Sequence, residues 1–227
     1  MPPSVSALCD TVLQLPCIKE TLDRARAGER VIIGITGCPG SGKSTLSDAL
    51  AETLNAQGLA STVVPMDGYH HYRSYLDAQP DPSEWHKRRG SPKTFDSGAF
   101  CAAMREIASG ASDARHVLPG WSHALKDPTP GGVVIEPHHR VVILEGLYLA
   151  LGEQGFEPLI TEHLVHPIVH LSTVSVEEAM QRVIARNAVA IFDGDVDRAT
   201  KHADYNDMPN ARLVHSKRHN ATVVIGE

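Results

Sequence analysis

Residues 31–45 read Val31-Ile32-Ile33-Gly34-Ile35-Thr36-Gly37-Cys38-Pro39-Gly40-Ser41-Gly42-Lys43-Ser44-Thr45. An apolar run leads straight into a glycine-rich turn, as expected of a strand that is buried on both faces of a parallel sheet. Leu46, Leu50 and Leu54 then recur every four residues, which predicts a helix over about 43–57. The stretch therefore predicts a strand, a glycine-rich loop and a helix in direct succession.

The loop satisfies the pattern G-x-x-x-x-G-K-[ST], which is typical of phosphate-binding loops. Its glycines let several backbone N–H groups point at one phosphate, and the positive end of the following helix faces the same anion. Lys43 can reach the β- and γ-phosphates, and Ser44 can offer its hydroxyl to Mg²⁺. The flanking strand and helix count against a ligand-free turn. We therefore expect ATP and Mg²⁺ as ligands, with the nucleotide held by Gly37, Cys38, Pro39, Gly40, Ser41, Gly42, Lys43, Ser44 and Thr45.

The rest of the chain repeats the alternation of short apolar strands with amphipathic helices. Further strands are predicted near 62–66, 141–144, 168–171 and 222–225, and helices near 5–27 (broken at Pro16), 97–109 and 176–187. Residues 68–95 and 111–139 contain many Pro, Gly and His residues and are predicted to be irregular loops. The pattern predicts an α/β fold, a P-loop NTPase three-layer αβα sandwich with a mainly parallel five-stranded sheet. We expect a single domain over 1–227 with a small helical lid at about 182–210.

Composition narrows the class of partner. The chain has 227 residues and a formal net charge of −6, and an acidic chain is a poor general binder of nucleic acid. Neither a signal peptide nor an apolar stretch of membrane-spanning length is visible, so we expect a cytoplasmic protein without a membrane partner. The four cysteines show no metal-binding spacing. Cys38, beside a helix N-terminus and Lys43, is a thiol whose pKa could fall. Dimers are the commonest assembly, so a homodimer is a possible state.

Acidic and basic positions beyond the loop indicate phosphoryl transfer. Asp67 follows the second strand, where ligands of open α/β sheets gather, and could take the proton of an attacking hydroxyl. A role on a metal-bound water or an ordinary turn aspartate are alternatives for Asp67. Glu145 ends an apolar strand and fits a carboxylate that orients water on Mg²⁺. Arg182 and Arg186 share a helix face and could clamp a phosphoryl group, although a solvated face with a Glu178–Arg182 pair fits that spacing better.

Taken together, these stretches resemble the P-loop small-molecule kinases that include uridine kinase, phosphoribulokinase and bacterial type I pantothenate kinase. The likeness is strongest to the pantothenate-kinase-like nucleoside/nucleotide kinase or fructose-transport-kinase-like branch. It extends from about residue 25 onward. The matching stretches are 34–45, 65–70, 89–96, 123–128, 145–149, the helix with Arg182 and Arg186, and 206–213.

The resemblance implies a role for each matching residue. Asp67 stands at the family's catalytic base, with Lys43 and the lid arginines Arg182 and Arg186 also catalytic, and Ser44 and Glu145 at the metal. The acceptor would be bound by Asp67, Tyr69, His70, Arg89, Lys93, Phe95, His123 and Lys126. Asp96 also matches, but its place before an apolar helix favours an N-cap.

The acceptor itself stays open among a nucleoside, a sugar, a pantothenate-like acid and a specialised metabolite. Leu147 and Asn187 stand where relatives of this branch usually carry Asn and His, and both positions lie near the acceptor pocket or the lid. Two further classes remain as alternatives. The first is an ATPase or regulatory switch with no acceptor, and the second is a nucleic-acid-binding module that uses the aromatic and basic cluster at 85–93.

Overall fold

The structure, a computed structural model, describes residues 3–122 and 124–226. Its strands are β1 (Val31–Gly37), β2 (Ser61–Pro65), β3 (His116–Ser122), β4 (Asp127–Ile135), β5 (Val141–Glu145), β6 (Ile168–Leu171) and β7 (Val223–Ile225). Its α-helices are α1 (Val5–Gln14), α2 (Pro16–Arg26), α3 (Lys43–Ala56), α4 (Arg73–Asp77), α5 (Pro82–Lys87), α6 (Ser97–Ser109), α7 (Pro158–Thr161), α8 (Val176–Ala190), α9 (Val196–His202) and α10 (Met208–Ser216). A 3₁₀ turn spans Met66–Tyr69, and a π-helical turn spans Ala203–Asp207.

The central sheet contains five strands of the described chain, in the order β2-β5-β1-β6-β7, and every neighbouring pair is parallel. β5 lies between β1 and β2, and its last residue, Glu145, is opposite Ile35 on one side and Pro65 on the other. Because all these strands run the same way, their carboxyl ends meet at one edge of the sheet. The strand order therefore brings the glycine-rich loop after β1, Glu145 and the turn after β2 together.

Both faces of the sheet are covered, which gives the predicted three layers. Successive strand residues point to opposite faces, so Ile32 belongs to one buried cluster while Ile33 and Ile35 belong to the other. One cluster takes apolar side chains from α1, α2 and α3, and the other takes them from α6, α8 and α10. The strands are buried throughout β1 and β6, as their continuous apolar sequences predict.

Local sequence signals place most of the helix ends. The predicted break at Pro16 separates α1 from α2, with Pro16 in the first turn of α2, where a missing N–H costs nothing. Asp96 caps α6 by accepting a hydrogen bond from the Ala99 N–H at 2.8 Å, which confirms the cap. Ser175 likewise accepts from the Glu178 N–H at the start of α8. Among the described residues, no helix combines the length and apolar character needed to cross a membrane.

Residues 111–139 are not the irregular loop that their composition predicts. β3 and β4 form an antiparallel ladder from His116 opposite Ile135 to Ser122 opposite Asp127, with a bulge between Leu118 and Gly120. The prediction was wrong because prolines and glycines interrupt both strands and hide the alternation of a ladder. The ladder packs directly on the 3₁₀ turn. A Cβ on Gly68 would lie 2.2 Å from the Pro119 carbonyl oxygen, so only glycine allows this approach.

Candidate active site

The glycine-rich loop forms a cradle of backbone at the start of α3. Gly40 and Gly42 have φ values of +78° and +91°, a region that side chains disfavour. Gly42 is the N-cap of α3, and no side chain caps the helix there. The first N–H groups of α3 are thus left to an external acceptor, and a phosphate is the acceptor such helix ends bind. A Cβ on Gly40 would lie 2.3 Å from the Ala179 carbonyl oxygen, so α8 packs tightly against the loop.

Lys43 and Glu145 face each other beside the cradle. The Lys43 Nζ lies 3.7 Å from Glu145 Oε1, and both side chains are largely buried. Burial raises the pKa of Glu145, while Lys43 and a hydrogen bond with the Ser44 side chain act in the opposite direction. A serine hydroxyl and a carboxylate are the oxygen donors that Mg²⁺ takes in phosphate sites, so Ser44 and Glu145 fit the predicted metal.

Asp67 lies in the 3₁₀ turn at the end of β2, next to Glu145. Since Pro65 is opposite Glu145 in the sheet, the turn that follows carries Asp67 over the same edge, and its charge contributes to the raised pKa of Glu145. The Asp67 side chain is 49% exposed, which leaves it accessible from the cavity that it lines. Lys43, Glu145 and Asp67 are therefore three ionisable groups at one sheet edge, where the sequence analysis expects them.

These groups open on a cavity of about 640 Å³. The cradle side is lined by Pro39, Gly40, Lys43, Ser44 and Asp48, and the strand ends contribute Val63, Pro65, Asp67, Glu145 and Leu147. The side towards the predicted lid consists of Gly90, Arg186, Asp207 and Asn210. We call the remaining side the acceptor wall, which is formed by His70, Phe95, Gly120, Trp121, Thr129, Gly132 and Val133.

The acceptor wall is aromatic. The His70 ring lies 3.8 Å from the Phe95 ring and 4.6 Å from the Trp121 ring, centre to centre. His70 Nδ1 is 2.9 Å from the Asp67 carbonyl oxygen, so the ring is fixed relative to Asp67. Burial lowers the pKa of His70 despite the neighbouring Asp67, which keeps the ring neutral at pH 7. The wall thus offers flat, uncharged rings close to Asp67.

The two arginines of α8 lie in different surroundings. Arg186 lines the cavity, and its Nε donates a hydrogen bond to Asn187 Oδ1 at 3.2 Å. Arg182 makes an ion pair with Glu178 at 2.9 Å and is 41% exposed. The structure therefore brings Arg186 to the candidate site. Arg182 instead forms the surface pair with Glu178 that the sequence analysis gave as the alternative. Its catalytic role stays a prediction.

Arg89 and Phe95, both predicted to bind the acceptor from the stretch 89–96, differ in whether they reach the cavity. Phe95 lines the cavity. Arg89 instead lies behind the wall, where it donates to the His71 carbonyl oxygen at 2.9 Å and to Asp127 at 3.0 Å, with its guanidinium 5.3 Å from the centre of the Trp121 ring. Burial lowers the pKa of Arg89, with Asp127 opposing. It supports the cavity wall and does not line it.

Other predicted acceptor residues are not brought to the cavity. Tyr69 is buried in the core with its ring 5.0 Å from Phe100, and burial raises its pKa to about 12. Lys93 is exposed and lies over the Trp85 ring at 4.6 Å. Lys126 is in the turn between β3 and β4 and does not line the cavity. His123 falls outside the described residues. The 3₁₀ geometry of this turn accounts for Tyr69. Residues three apart share a face, so Asp67 and His70 lie on the cavity side while Tyr69 points into the core.

The expectation for the Cys38 thiol is corrected. Cys38 lies in the loop as predicted, but its side chain is buried and its Sγ donates to the Ala211 carbonyl oxygen at 3.3 Å. Burial raises the pKa of Cys38 to about 11, and the nearby Lys43 only partly opposes this. The thiol is therefore protonated at neutral pH and does not have the lowered pKa of a reactive cysteine.

Sequence reasoning assigned no role to Asp207 and Asn210, which form part of the cavity wall. The π-helical turn before α10 carries Asp207, and burial raises its pKa against the influence of His202, Arg186 and Arg88. Its Oδ2 atom has no hydrogen-bond partner among the described residues. The signal that could have found these two residues is their place in the 206–213 stretch, which matches the kinases already named.

Comparisons with known proteins show which family the chain resembles. The sequence profile of the methylmalonyl-CoA mutase-associated GTPase MeaB matches residues 17–73, which hold the cradle and are well under half of the chain. A Schizosaccharomyces pombe protein named uridine kinase is 32% identical over 188 residues, which are 82% of this chain and 78% of that protein. The ATP-dependent kinase YFH7 of Zygosaccharomyces rouxii is 30% identical over 215 residues, and the match covers 84% of this chain but 56% of the yeast protein.

A solved structure extends the likeness to the whole chain. A protein of Silicibacter sp. TM1040 described as a fructose transport system kinase superposes with a TM-score of 0.80. It is 32% identical in sequence, and the match covers 98% of both chains. Cradle, sheet and helical layers of this chain therefore recur together in proteins with the names of kinases.

Proposed function

Because this chain belongs to the family of P-loop small-molecule kinases that includes uridine kinase, we propose that it transfers the γ-phosphate of MgATP to a hydroxyl of a small metabolite. The chain is a phosphotransferase by that membership. The single observation that carries the proposal is the meeting of Lys43, Glu145 and Asp67 on one cavity, next to a capless helix end. A nucleoside, a sugar or a pantothenate-like compound would be the acceptor.

The proposed reaction uses each of these groups once. The acceptor oxygen attacks the γ-phosphorus, a new O–P bond forms, and the bond from that phosphorus to the β,γ-bridging oxygen breaks, so that ADP leaves with the electron pair. Asp67 would take the proton of the acceptor hydroxyl, and its exposure allows that proton to pass to water afterwards. Lys43 and Arg186 would offset the negative charge on the transferred group.

Mg²⁺ would be held by Ser44 and, directly or through water, by Glu145. When bound, the ion supplies positive charge between the phosphates. The close Lys43–Glu145 pair also keeps the lysine directed at the cradle. Arg182 would join the phosphates only after leaving Glu178, as closure of the predicted lid at about 182–210 would allow.

Two other functions are less well supported by the site. An ATPase or regulatory switch without an acceptor would not need the acceptor wall that the β3–β4 ladder builds against the Asp67 turn. A nucleic-acid module would need free cations at 85–93. Arg88 and Arg89 are instead held by internal hydrogen bonds and Lys93 lies on Trp85, so among the described cations of this cluster Lys87 alone is exposed without such a contact. A homodimer stays a prediction, which sedimentation analysis of the purified protein would test.

The test of the kinase function is a metabolite-extract assay with γ-labelled ATP and magnesium, in which mass spectrometry identifies the labelled product. We expect Lys43→Ala to abolish labelling. Asp67→Asn should lower turnover about a hundredfold or more, the scale of a positioned base, while ATP still binds. Asp10→Asn on the exposed surface of α1 is the matched control and should keep full turnover. Full turnover of Asp67→Asn would show that the base is elsewhere.

A further inference from the structure

The charges around the cavity are distributed unevenly. Among the described lining residues, the cations are Lys43 and Arg186, and both are assigned to the phosphates of ATP under the proposed function. Four carboxylates share the same cavity, namely those of Asp48, Asp67, Glu145 and Asp207. The described acceptor wall carries no formal charge, since the burial of His70 keeps its ring neutral.

Arg89 is a cation that lies against the acceptor wall, and it is already engaged. Its Nη2 donates to Asp127 and to the His71 carbonyl oxygen, and its side chain is 15% exposed. The Nε and Nη1 atoms have no partner among the described residues, but they are buried and do not reach the cavity surface. An acceptor in the cavity would meet the Trp121 ring and would not meet the guanidinium behind it.

An anionic acceptor would therefore bring its charge into a cavity that already holds four carboxylates, with no described cation left to balance it. Two like charges a few ångströms apart repel by about 1–4 kcal/mol at the dielectric of water or of a protein surface. A carboxylate or phosphate on the acceptor would also leave its own hydrogen-bond acceptors facing aromatic rings. The site as described disfavours both sugar phosphates and carboxylic acids.

The same wall suits an apolar ring face. His70, Phe95 and Trp121 supply flat surfaces, and Gly120 packs against Gly132 so closely that a side chain on either would strike the other's backbone. Polar groups for acceptor hydroxyls stand at the margin, on Thr129 and Asn210. Rings that carry hydroxyls at their edge and a hydrocarbon or aromatic face combine these features.

We propose that the acceptor of this kinase is an uncharged ring compound with hydroxyl groups, which stacks on the acceptor wall and presents one hydroxyl to Asp67. Nucleosides and cyclic sugars share this chemistry. The inference rests on the proposed function, and it argues against the pantothenate-like acid that the sequence analysis left open and against phosphorylated acceptors as well. The bonds made and broken are those of the proposed reaction.

The first test separates acceptors by charge. A metabolite extract is split on an anion exchanger into an unretained fraction and a retained, anionic fraction, and each is incubated with the protein and γ-labelled ATP. We expect labelled product from the unretained fraction. If only compounds of the anionic fraction become labelled, the inference is overturned and the kinase function still stands. No labelled product from either fraction would overturn both.

Defined acceptors distinguish a nucleoside from a sugar and both from an anion. Uridine and D-fructose represent uncharged nucleosides and sugars, and pantothenate and D-ribulose 5-phosphate represent anions. We expect kcat/KM for the better of the two uncharged probes to exceed that for either anion by at least about tenfold, as uncompensated repulsion predicts. The faster of uridine and fructose tells whether the acceptor is a nucleoside or a sugar. A preference for either anion contradicts the proposal.

A matched pair of variants tests the wall. The chain has two tryptophans, of which Trp121 lines the cavity and Trp85 lies outside it near Tyr75 and Lys93. With the better uncharged probe, Trp121→Leu should raise the acceptor KM about tenfold and leave the KM for ATP unchanged. Trp85→Leu should change neither. An acceptor KM that is unchanged in Trp121→Leu, or raised equally in both variants, would refute stacking on this wall.

Discussion

Asp67 and Glu145 are two carboxylates at neighbouring strand ends with different surroundings. Glu145 is buried against Lys43 and Ser44, while half of the Asp67 side chain is exposed to the cavity. A group that must release a proton to water after each turnover benefits from exposure, and a group that holds a metal beside phosphates benefits from fixed neighbours. The different burial thus supports the two roles that the sequence assigned to these acids.

At the same scale, the two arginines of α8 allow a paired prediction. Arg186→Ala should lower kcat roughly a hundredfold, because it would remove a cation that lines the cavity and that, under the proposed function, offsets charge on the transferred group. If Arg182 stays in its exposed pair with Glu178 throughout turnover, as the structure has it, Arg182→Ala should lower kcat less than about threefold, because the side chain then does not touch the phosphates and losing such a pair costs only about 0.3–0.5 kcal/mol. Steady-state kinetics under saturating ATP measures both. Equal losses would mean that Arg182 leaves Glu178 and joins the phosphates during turnover.

Between elements, hydrogen bonds connect the segment 205–210 to the loop 88–90, and we call this set of hydrogen bonds the latch. Arg88 donates to the carbonyl oxygens of Tyr205 (2.5 Å) and Asn206 (3.4 Å) and to Asn210 Oδ1 (3.4 Å), and the Asn206 Nδ2 donates to the Arg89 carbonyl oxygen at 2.7 Å. The buried Tyr148 hydroxyl donates to the Gly90 carbonyl oxygen at 2.6 Å. A π-helical turn is a local departure from α-helix that often occurs at functional sites, and here it lies beside this latch.

The latch predicts a positioning role for Arg88. In Arg88→Ala, the loss of these hydrogen bonds should let the segment with Asp207 and Asn210 move. Because these residues line the cavity, their displacement should lower kcat roughly tenfold or more. Hydrogen exchange of the backbone amides of 203–210 should become faster in parallel. Arg26→Ala, which removes an exposed ion pair on α2, is the control and should change neither quantity. A lowered kcat with unchanged hydrogen exchange would mean that Arg88 does not act by holding residues 203–210 in place.

Across the whole molecule, strands from residue 31 to residue 225 share one sheet, and helices from both ends of the chain cover it. The predicted single domain should therefore unfold in one thermal transition. Nucleotide bound at 100 times its Kd adds about 2.7 kcal/mol of stability, which corresponds to a rise in Tm of roughly 5–10 °C for a chain of this size.

Scanning calorimetry with and without magnesium and ATP checks both expectations. Wild-type protein should show the rise in Tm, and Lys43→Ala should show little of it, because the contact with the β- and γ-phosphates is lost. Two separate transitions would contradict a single domain. An equal rise in Lys43→Ala would mean that nucleotide binds away from the cradle.

The sequence by itself determined the features that depend on neighbours along the chain. The cradle, the parallel strands, the break at Pro16 and the Asp96 cap follow from backbone geometry, periodic burial and local hydrogen bonds, and each appears where it was predicted. Asp67 and Glu145 could be predicted for the same reason, because Glu145 ends a strand and Asp67 directly follows one, and the strand–helix alternation sets the direction of both strands.

The tertiary structure alone decided which side chains meet across the cavity. Strand order, the β3–β4 ladder, the burial of Tyr69, the choice of Arg186 over Arg182 and the latch of Arg88 on Asn210 were not readable from local pattern. Arg88 and Asn210 are 122 positions apart. Contacts at such separations depend on how whole layers pack, and residue spacing along one helix or turn carries no record of that packing.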